Sequence, residues 1–231
     1  MPQFALVIPV LNEQRFLPRL LDRLLPLADA EILLVDGGSS DGTIEMSQRI
    51  AAEHPQVRLL HSARGRGCQM RHGAAASSAE TLVFLHADSL PADNLAATLN
   101  KFHAKGLEAA TFRLRFDSDN VWLKLFALAA RLDTSLTRFG DQGLVIQRAL
   151  YDECGGFADV PLFEDVLLFT EIRRRSKLAY LDADIITSSR RFAERGPLRQ
   201  MLRNIRLYTA WKLGRPIEEL AEIYQNGVRQ K

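Results

Sequence analysis

The chain has 231 residues, 47% of them hydrophobic, which suffices for one large domain or one domain with an appendage. Its 30 basic and 28 acidic side chains leave a formal charge of only +2, which argues against a general nucleic-acid binder, whose basic excess is much larger. The two cysteines, Cys68 and Cys154, lie far apart with no metal-type spacing, so a reducing compartment is expected and a disulfide framework is not.

The N-terminus enters an apolar strand without a basic leader or a cleavage-like site, so no secretory signal is expected. Phe4 to Val10 predicts a first buried strand, ending or bulging at Pro9, which cannot donate to a ladder. Asn12 and Glu13 open a helix whose Phe16, Leu17, Leu20, Leu21, Leu24 and Leu25 share one face, and Pro26 ends it. Glu31 to Val35 is a second strand, closed by the turn-rich Asp36-Gly37-Gly38-Ser39-Ser40-Asp41-Gly42-Thr43. A helix follows to about His54, then a third strand, Val57 to His61. The basic loop Arg64-Gly65-Arg66-Gly67 leads to a helix of very small residues, Gly73 to Ala79, suited to lying close against a sheet.

Thr81 to Leu85 is the fourth strand, apolar throughout and read as buried on both faces. It runs into His86-Ala87-Asp88, and Ser89, Pro91 and Asp93 look like the start of a helix. Up to here strands and helices alternate, the pattern of a doubly wound, mostly parallel α/β sheet. The rhythm changes after Leu99. Ala109 to Phe116 alternates like a half-exposed strand, and Val121 to Leu136 reads as a helix whose most apolar part is broken by Lys124 and Arg131, too short and too charged to span a bilayer. Leu144 to Ile146 is a short strand, Arg148 to Cys154 a short helix, Glu164 to Arg175 a helix, and Ala179 to Leu181 and Ile185 to Ser188 are two short strands. Helices Leu198 to Leu213 and Ile217 to Gln225 close the chain. The expected organisation is a single domain, 1–231, with a nucleotide-binding half at 1–105, an acceptor half at 106–195 and C-terminal helices at 196–231.

In a parallel sheet the loops bearing Asn12-Glu13, Asp36, Arg64-Arg66 and Asp88 all emerge on one edge, where ligands of open α/β sheets bind. Asp36 can accept from a base imide or ribose hydroxyls, Arg64 and Arg66 can meet a phosphate, and Asp88 can hold a divalent cation against a diphosphate. Each residue alone also fits a plainer part: Asp36 and Asp41 as turn residues, Asp88 as a helix cap.

As a set, Ile8-Pro9-Val10-Leu11-Asn12-Glu13, the Val35-to-Thr43 segment and Phe84-Leu85-His86-Ala87-Asp88 resemble the N-terminal signatures of family 2 glycosyltransferases, which have the GT-A fold. Gly155-Gly156-Phe157 and Phe163-Glu164-Asp165 resemble that family's glycine-phenylalanine turn and Glu-Asp motif, so the likeness spans roughly residues 4–190. Ser189-Arg190-Arg191-Phe192 is similar to a segment of a small bacterial subgroup that also carries Leu-His-Ala-Asp. The resemblance implies an inverting transfer from a UDP- or GDP-type nucleotide sugar to an unknown acceptor. It implies donor contacts at Pro9, Glu13, Asp36, Arg66 and Ala87, a Mn²⁺ or Mg²⁺ at Asp88, and Asp165 as general base. Two positions depart from the family pattern: Gly37 stands where many members have an aspartate, and His86 makes the usual Asp-x-Asp a His-x-Asp. His86 can ligate a cation, favouring Mn²⁺ over Mg²⁺, or point into the core. The helix dipole should keep Asp165 ionised, with Glu164 pointing elsewhere.

Asp141-Gln142 can line an acceptor pocket or simply turn. Arg190, Arg191 and Arg195 can bind a diphosphate or form a solvated basic face. The stripe Met201, Leu202, Ile205, Tyr208 and Trp211, with arginines around it, covers core or lies on a membrane. The expected location is therefore cytoplasmic, with possible peripheral contact at the inner membrane surface. A degenerate nucleotide-sugar-binding protein is the rival, motivated by Gly37 and His86. A dinucleotide oxidoreductase is disfavoured because Met70 sits where a third glycine is needed after Gly65 and Gly67.

Overall fold

The computed structural model describes residues 2–132, 134, 138 and 140–229, apart from the side chains of residues 191, 194, 195 and 225–229. One eight-stranded sheet organises the chain in the order β3-β2-β1-β4-β7-β6-β8-β5. β1 (Phe4–Val10), β2 (Ala30–Asp36), β3 (Val57–His61) and β4 (Thr81–Phe84) run parallel. β7 (Leu144–Gln147) lies antiparallel beside β4 and also antiparallel to β6 (Ala109–Phe116). β6 is parallel to β8 (Leu178–Thr187), and β5 (Ser89–Pro91) closes that side antiparallel to β8.

The strand period of two divides the apolar residues between two faces. From β1, Phe4, Leu6, Ile8 and Val10 enter one core, while Ala5 and Val7 enter the other. The first core is covered by α1 (Leu17–Leu24), α2 (Thr43–Glu53) and α4 (Leu95–Ala104). α1 supplies Leu17, Leu20, Leu21 and Leu24, all fully buried and spaced for one helical face, at about 1.5–3 kcal/mol each by the usual area relation. The second core is covered by α3 (Arg66–Ala75), α6 (Arg148–Glu153) and α7 (Glu164–Arg175). A third cluster joins the start of α7 to α9 (Pro197–Lys212) and α10 (Ile217–Arg229). α5 (Val121–Ala129) and the short α8 (Arg190–Arg195) lie between β6, β8 and α9.

The α/β class and most elements match the sequence pattern, and the differences have local causes. β1 continues through Pro9. Val7 O accepts from Leu85 N, so Val7 and, two residues on, Pro9 face the β4 side, where β4 has already ended. α1 starts at Leu17 rather than at Asn12, because Glu13 O first closes a turn onto Phe16 N and Asn12 takes a positive φ of 58°. The small-residue helix runs earlier than expected, from Arg66 to Ala75. Ser89–Pro91 forms β5 rather than a helix start, since its backbone finds β8, and α4 waits until Leu95. The two strands expected between Ala179 and Ser188 are one, β8, with a register shift opposite Thr111 and Arg113. α5 ends at Ala129, and part of its expected extension to Leu136 lies outside the described residues.

Close approach of α3 to the sheet rests on Gly73. A Cβ there would sit 2.4 Å from Val7 Cγ1 and 3.0 Å from Val35 Cγ2. In an open helix Gly→Ala stabilises by about 0.5–1 kcal/mol. Here Gly73→Ala should reverse that sign and destabilise by about 1–3 kcal/mol through overpacking, seen as a lower urea midpoint at unchanged m-value. A raised midpoint would show that α3 moves away freely.

Candidate active site

Because β1 to β4 are parallel, the loops after them meet at one sheet edge, and antiparallel β7 brings the residues before Leu144 to that edge as well. The first two loops are laced together. Asn12 N donates to Ser39 Oγ (3.0 Å), Ser40 N to Asn12 Oδ1 (2.8 Å), and Glu13 N to Thr43 Oγ1 (2.9 Å). Pro9 is buried within β1 beneath this junction.

Asp36 ends β2 and is 1% exposed. Its carboxylate accepts from Gly38 N at 2.8 Å and Ser39 N at 3.1 Å, so it shapes its own turn, and His61 Nδ1 lies 3.7 Å away. Gln69, unremarkable in the sequence, is buried on α3 and donates to Val10 O (2.9 Å) and Val35 O (2.7 Å), pinning the ends of β1 and β2. It also accounts for Gly37: a Cβ there would lie 2.9 Å from the Gln69 amide carbon.

His86 and Asp88, two residues apart, face different surroundings. Asp88 lines a cleft of about 280 Å³ with Arg15, Phe16, Arg19, Ala87 and Asp117. Its backbone carbonyl accepts from Ser188 N, while its carboxylate has no partner among the described residues. Arg15 and Arg190 both lie over the Phe16 ring at that cleft, at 5.7 and 4.9 Å; the side chains of Arg191 and Arg195 fall outside the described residues. His86 turns the other way and sets Nδ1 3.1 Å from Asp141 Oδ1, bordering a small cavity with Gly140 and Asp165. No three of His, Cys, Asp and Glu form a metal cage among the described residues. The lone Asp88 carboxylate does fit a Mn²⁺ or Mg²⁺ that takes its other ligands from a diphosphate and water.

Asp165 is the second residue of α7. Phe163, just before the helix, has a left-handed backbone (φ 66°), a conformation costing roughly 1–2 kcal/mol for an L side chain. Its ring stacks on Trp211 at 5.0 Å and meets Tyr208 edge-on, which holds the turn in place. Asp165 Oδ2 accepts from Gly140 N at 2.6 Å. Asp165, Glu164, Arg66 and Asp141 line one cavity of about 110 Å³, walled by aromatic residues of α5, α8, α9 and α10. Arg66 Nε sits 3.1 Å from Glu164 Oε1, and that carboxylate holds the guanidinium firmly protonated. Two expectations are corrected. Burial outweighs the helix dipole and, with Glu164 close by, pushes the Asp165 carboxyl up to about 6. Glu164 does not point elsewhere but shares the cavity.

The fold is that of GT-A glycosyltransferases. A mannosyltransferase from Pyrobaculum calidifontis, solved with GDP-Man and Mn²⁺, superimposes with a TM-score of 0.68 at 22% identity, over 96% of this chain and 69% of that one. S. aureus TarS 1-349 with UDP-GlcNAc gives 0.64 at 12% identity, over 80% and 58%. The model of the glycosyl transferase family 2 matches residues 5–158, and the chain belongs to that family. Among curated relatives, a PGL/p-HBAD biosynthesis glycosyltransferase of Mycobacterium tuberculosis is 34% identical over 101 residues, 41% of this chain and 40% of that protein. A dolichyl-phosphate beta-glucosyltransferase of Trichomonas vaginalis is 30% identical over 94 residues, 36% and 28% of the two chains. The chain thus aligns with well under half the length of these relatives.

The raised Asp165 carboxyl has a stability consequence. Its folded pKa of about 6 lies above the ordinary 3.8, so its contribution is fully present below about pH 4 and is lost as pH rises through 6. Asp165→Asn should therefore melt higher than the wild type at pH 7 and show a flatter pH dependence between 4 and 6. Equal slopes in thermal melts across that range would mean the carboxyl is not perturbed.

Proposed function

We propose that this chain transfers a sugar from a UDP- or GDP-type nucleotide sugar to an acceptor hydroxyl, with inversion, using Mn²⁺ or Mg²⁺. One observation carries this: on one sheet edge Asp88, a carboxylate without a partner among the described residues, stands apart from a buried, hydrogen-bonded carboxylate, Asp165, with a pKa raised toward neutrality. The first is suited to a cation and the second to a proton. Membership of family 2, and the GDP-Man and Mn²⁺ named with the Pyrobaculum structure, support the donor class and the metal.

In this reading the residues 1–105 hold the donor, residues 106–195 the acceptor, and 196–231 cover the acceptor side. Pro9, Glu13, Asp36 and Ala87 border the donor, Asp36 chiefly by keeping the loop after β2 in shape. Arg66, tied to Glu164, places positive charge beside the reacting groups. Asp88 would hold the cation, whose chemistry when bound is to offset the charge left on the departing diphosphate. His86 is an additional candidate ligand, engaged by Asp141 in the present arrangement. Asp165 takes the proton from the acceptor hydroxyl as the sugar carbon is attacked, and a carboxyl near 6 is a better base at neutral pH than an ordinary one. Gly140 N on its Oδ2 (2.6 Å) and Val166 N on its Oδ1 (2.7 Å) hold the carboxyl in one orientation. The protein sits peripherally at the inner membrane surface through α9. The rival, a degenerate binding protein, loses part of its motive, because Gly37 has a packing reason in Gln69.

Calorimetry should show Mn²⁺ and a nucleoside diphosphate binding more tightly together than separately, with the coupling gone in Asp88→Ala. Unchanged coupling would remove Asp88 from the metal site. Asp165→Asn should leave that binding intact and lower sugar release from the donor by roughly 10²–10⁴-fold, while wild-type turnover climbs as pH rises through about 6. Full turnover by the variant would refute the base assignment.

A further inference from the structure

α5 carries an unusual surface. Val121, Trp122, Leu125, Leu128 and, just past the helix, Leu132 are 45–61% exposed. Their spacing puts them on one face, while Leu123 and Phe126 turn inward. α5 packs against α9, which presents Leu198, Leu202 and Ile205 outward, each 45–54% exposed. Neither segment 121–132 nor 196–216 contains an Asp or Glu, whereas they hold Lys124, Arg131, Arg199, Arg203, Arg206, Lys212 and Arg215. Arg199 and Arg206 lie along one flank of the α9 apolar arc. No described helix is long and apolar enough to cross a membrane.

We infer that the paired outer faces of α5 and α9 dock on an anionic lipid surface, and that the acceptor is an amphiphile taken from that surface. An apolar face whose own two helices carry cations and no carboxylate, with Asp119 beside it paired to Lys124, matches lipid tails below and anionic headgroups around them. A second copy of the chain would set these cations against one another. The acceptor class follows from what the same helices do on their inner side. Phe126 of α5 and Gln200, Asn204, Leu207 and Tyr208 of α9 line the cavity that holds Asp165, with Phe163 and Phe192 beside them. That cavity offers apolar and aromatic walls to a chain or ring and a carboxylate to its hydroxyl. The acceptor part of this inference rests on the proposed transferase activity; the docking part does not.

The test uses the full chain and vesicles of phosphatidylglycerol, with phosphatidylcholine vesicles as control. The wild type should float with the anionic vesicles, less so at high salt, and its tryptophan emission should shift to the blue as Trp122 leaves water. Leu125→Glu/Leu128→Glu should lower the bound fraction about tenfold or more, and Arg199→Glu/Arg206→Glu should abolish the preference for anionic lipid. All variants should keep nucleoside diphosphate binding, since none of these side chains lines the cleft at Asp88. Wild-type transfer should favour a long-chain alkyl glycoside over the free sugar. A wild type that binds nucleotide but no vesicle overturns docking, as does vesicle binding untouched by the leucine variant. A dimer in light scattering that the leucine variant dissolves overturns it in favour of a second copy. Preference for the free sugar overturns the acceptor class, and absence of nucleotide binding in the wild type defeats the transferase reading while leaving the flotation result to stand by itself.

Discussion

The ion pair between Arg66 and Glu164 joins the two parts of the chain that have to cooperate. Arg66 opens α3, on the side of the parallel strands, and Glu164 opens α7, after the antiparallel excursion through β7. Glu164 is 4% exposed, and a carboxylate so placed is tolerable only with a partner. The same pair also acts on Asp165. Burial does most to push that carboxyl toward its neutral form and Glu164 adds to it, while the Gly140 hydrogen bond and then Arg66 pull the other way.

Local strain at Phe163 belongs to the same arrangement. A bulky residue in the left-handed region persists only when its surroundings hold it there. Trp211 and Tyr208 supply that hold from α9. The C-terminal helices are thus part of the machinery that aims α7, which fits their place in the third apolar cluster.

Much of this was legible in the sequence because it depends on short-range pattern. The apolar runs of β1, β2 and β4 and the leucine face of α1 are written in periodicity, and Asp36, Asp88 and Asp165 stand where strands or turns end. What escaped depends on contacts distant in sequence. Ser89–Pro91 pairs with residues near 186, and nothing local distinguishes it from a helix start. Gln69 reads as an ordinary helix residue until the fold brings α3 over the ends of β1 and β2, where its amide donates to Val10 O and Val35 O. The raised Asp165 carboxyl is hidden from the sequence for a related reason: a helix N-terminus is visible there, whereas burial and a folded-in neighbour are not. That His86 turns to Asp141 rather than toward Asp88 could not be foreseen, because β7 had first to bring residues 140–142 alongside.

The packing of Gln69 over Gly37 bears on how this site can change over time. An aspartate at position 37 would bring its first side-chain carbon to 2.9 Å from the Gln69 amide carbon, so Gln69 would have to shift to admit it. Shortening residue 69 first would remove a buried side-chain donor from each of the carbonyls of Val10 and Val35, leaving Val10 O with Gly37 N. Positions 37 and 69 are therefore coupled: a side chain at 37 has to be met by a move or a change at 69.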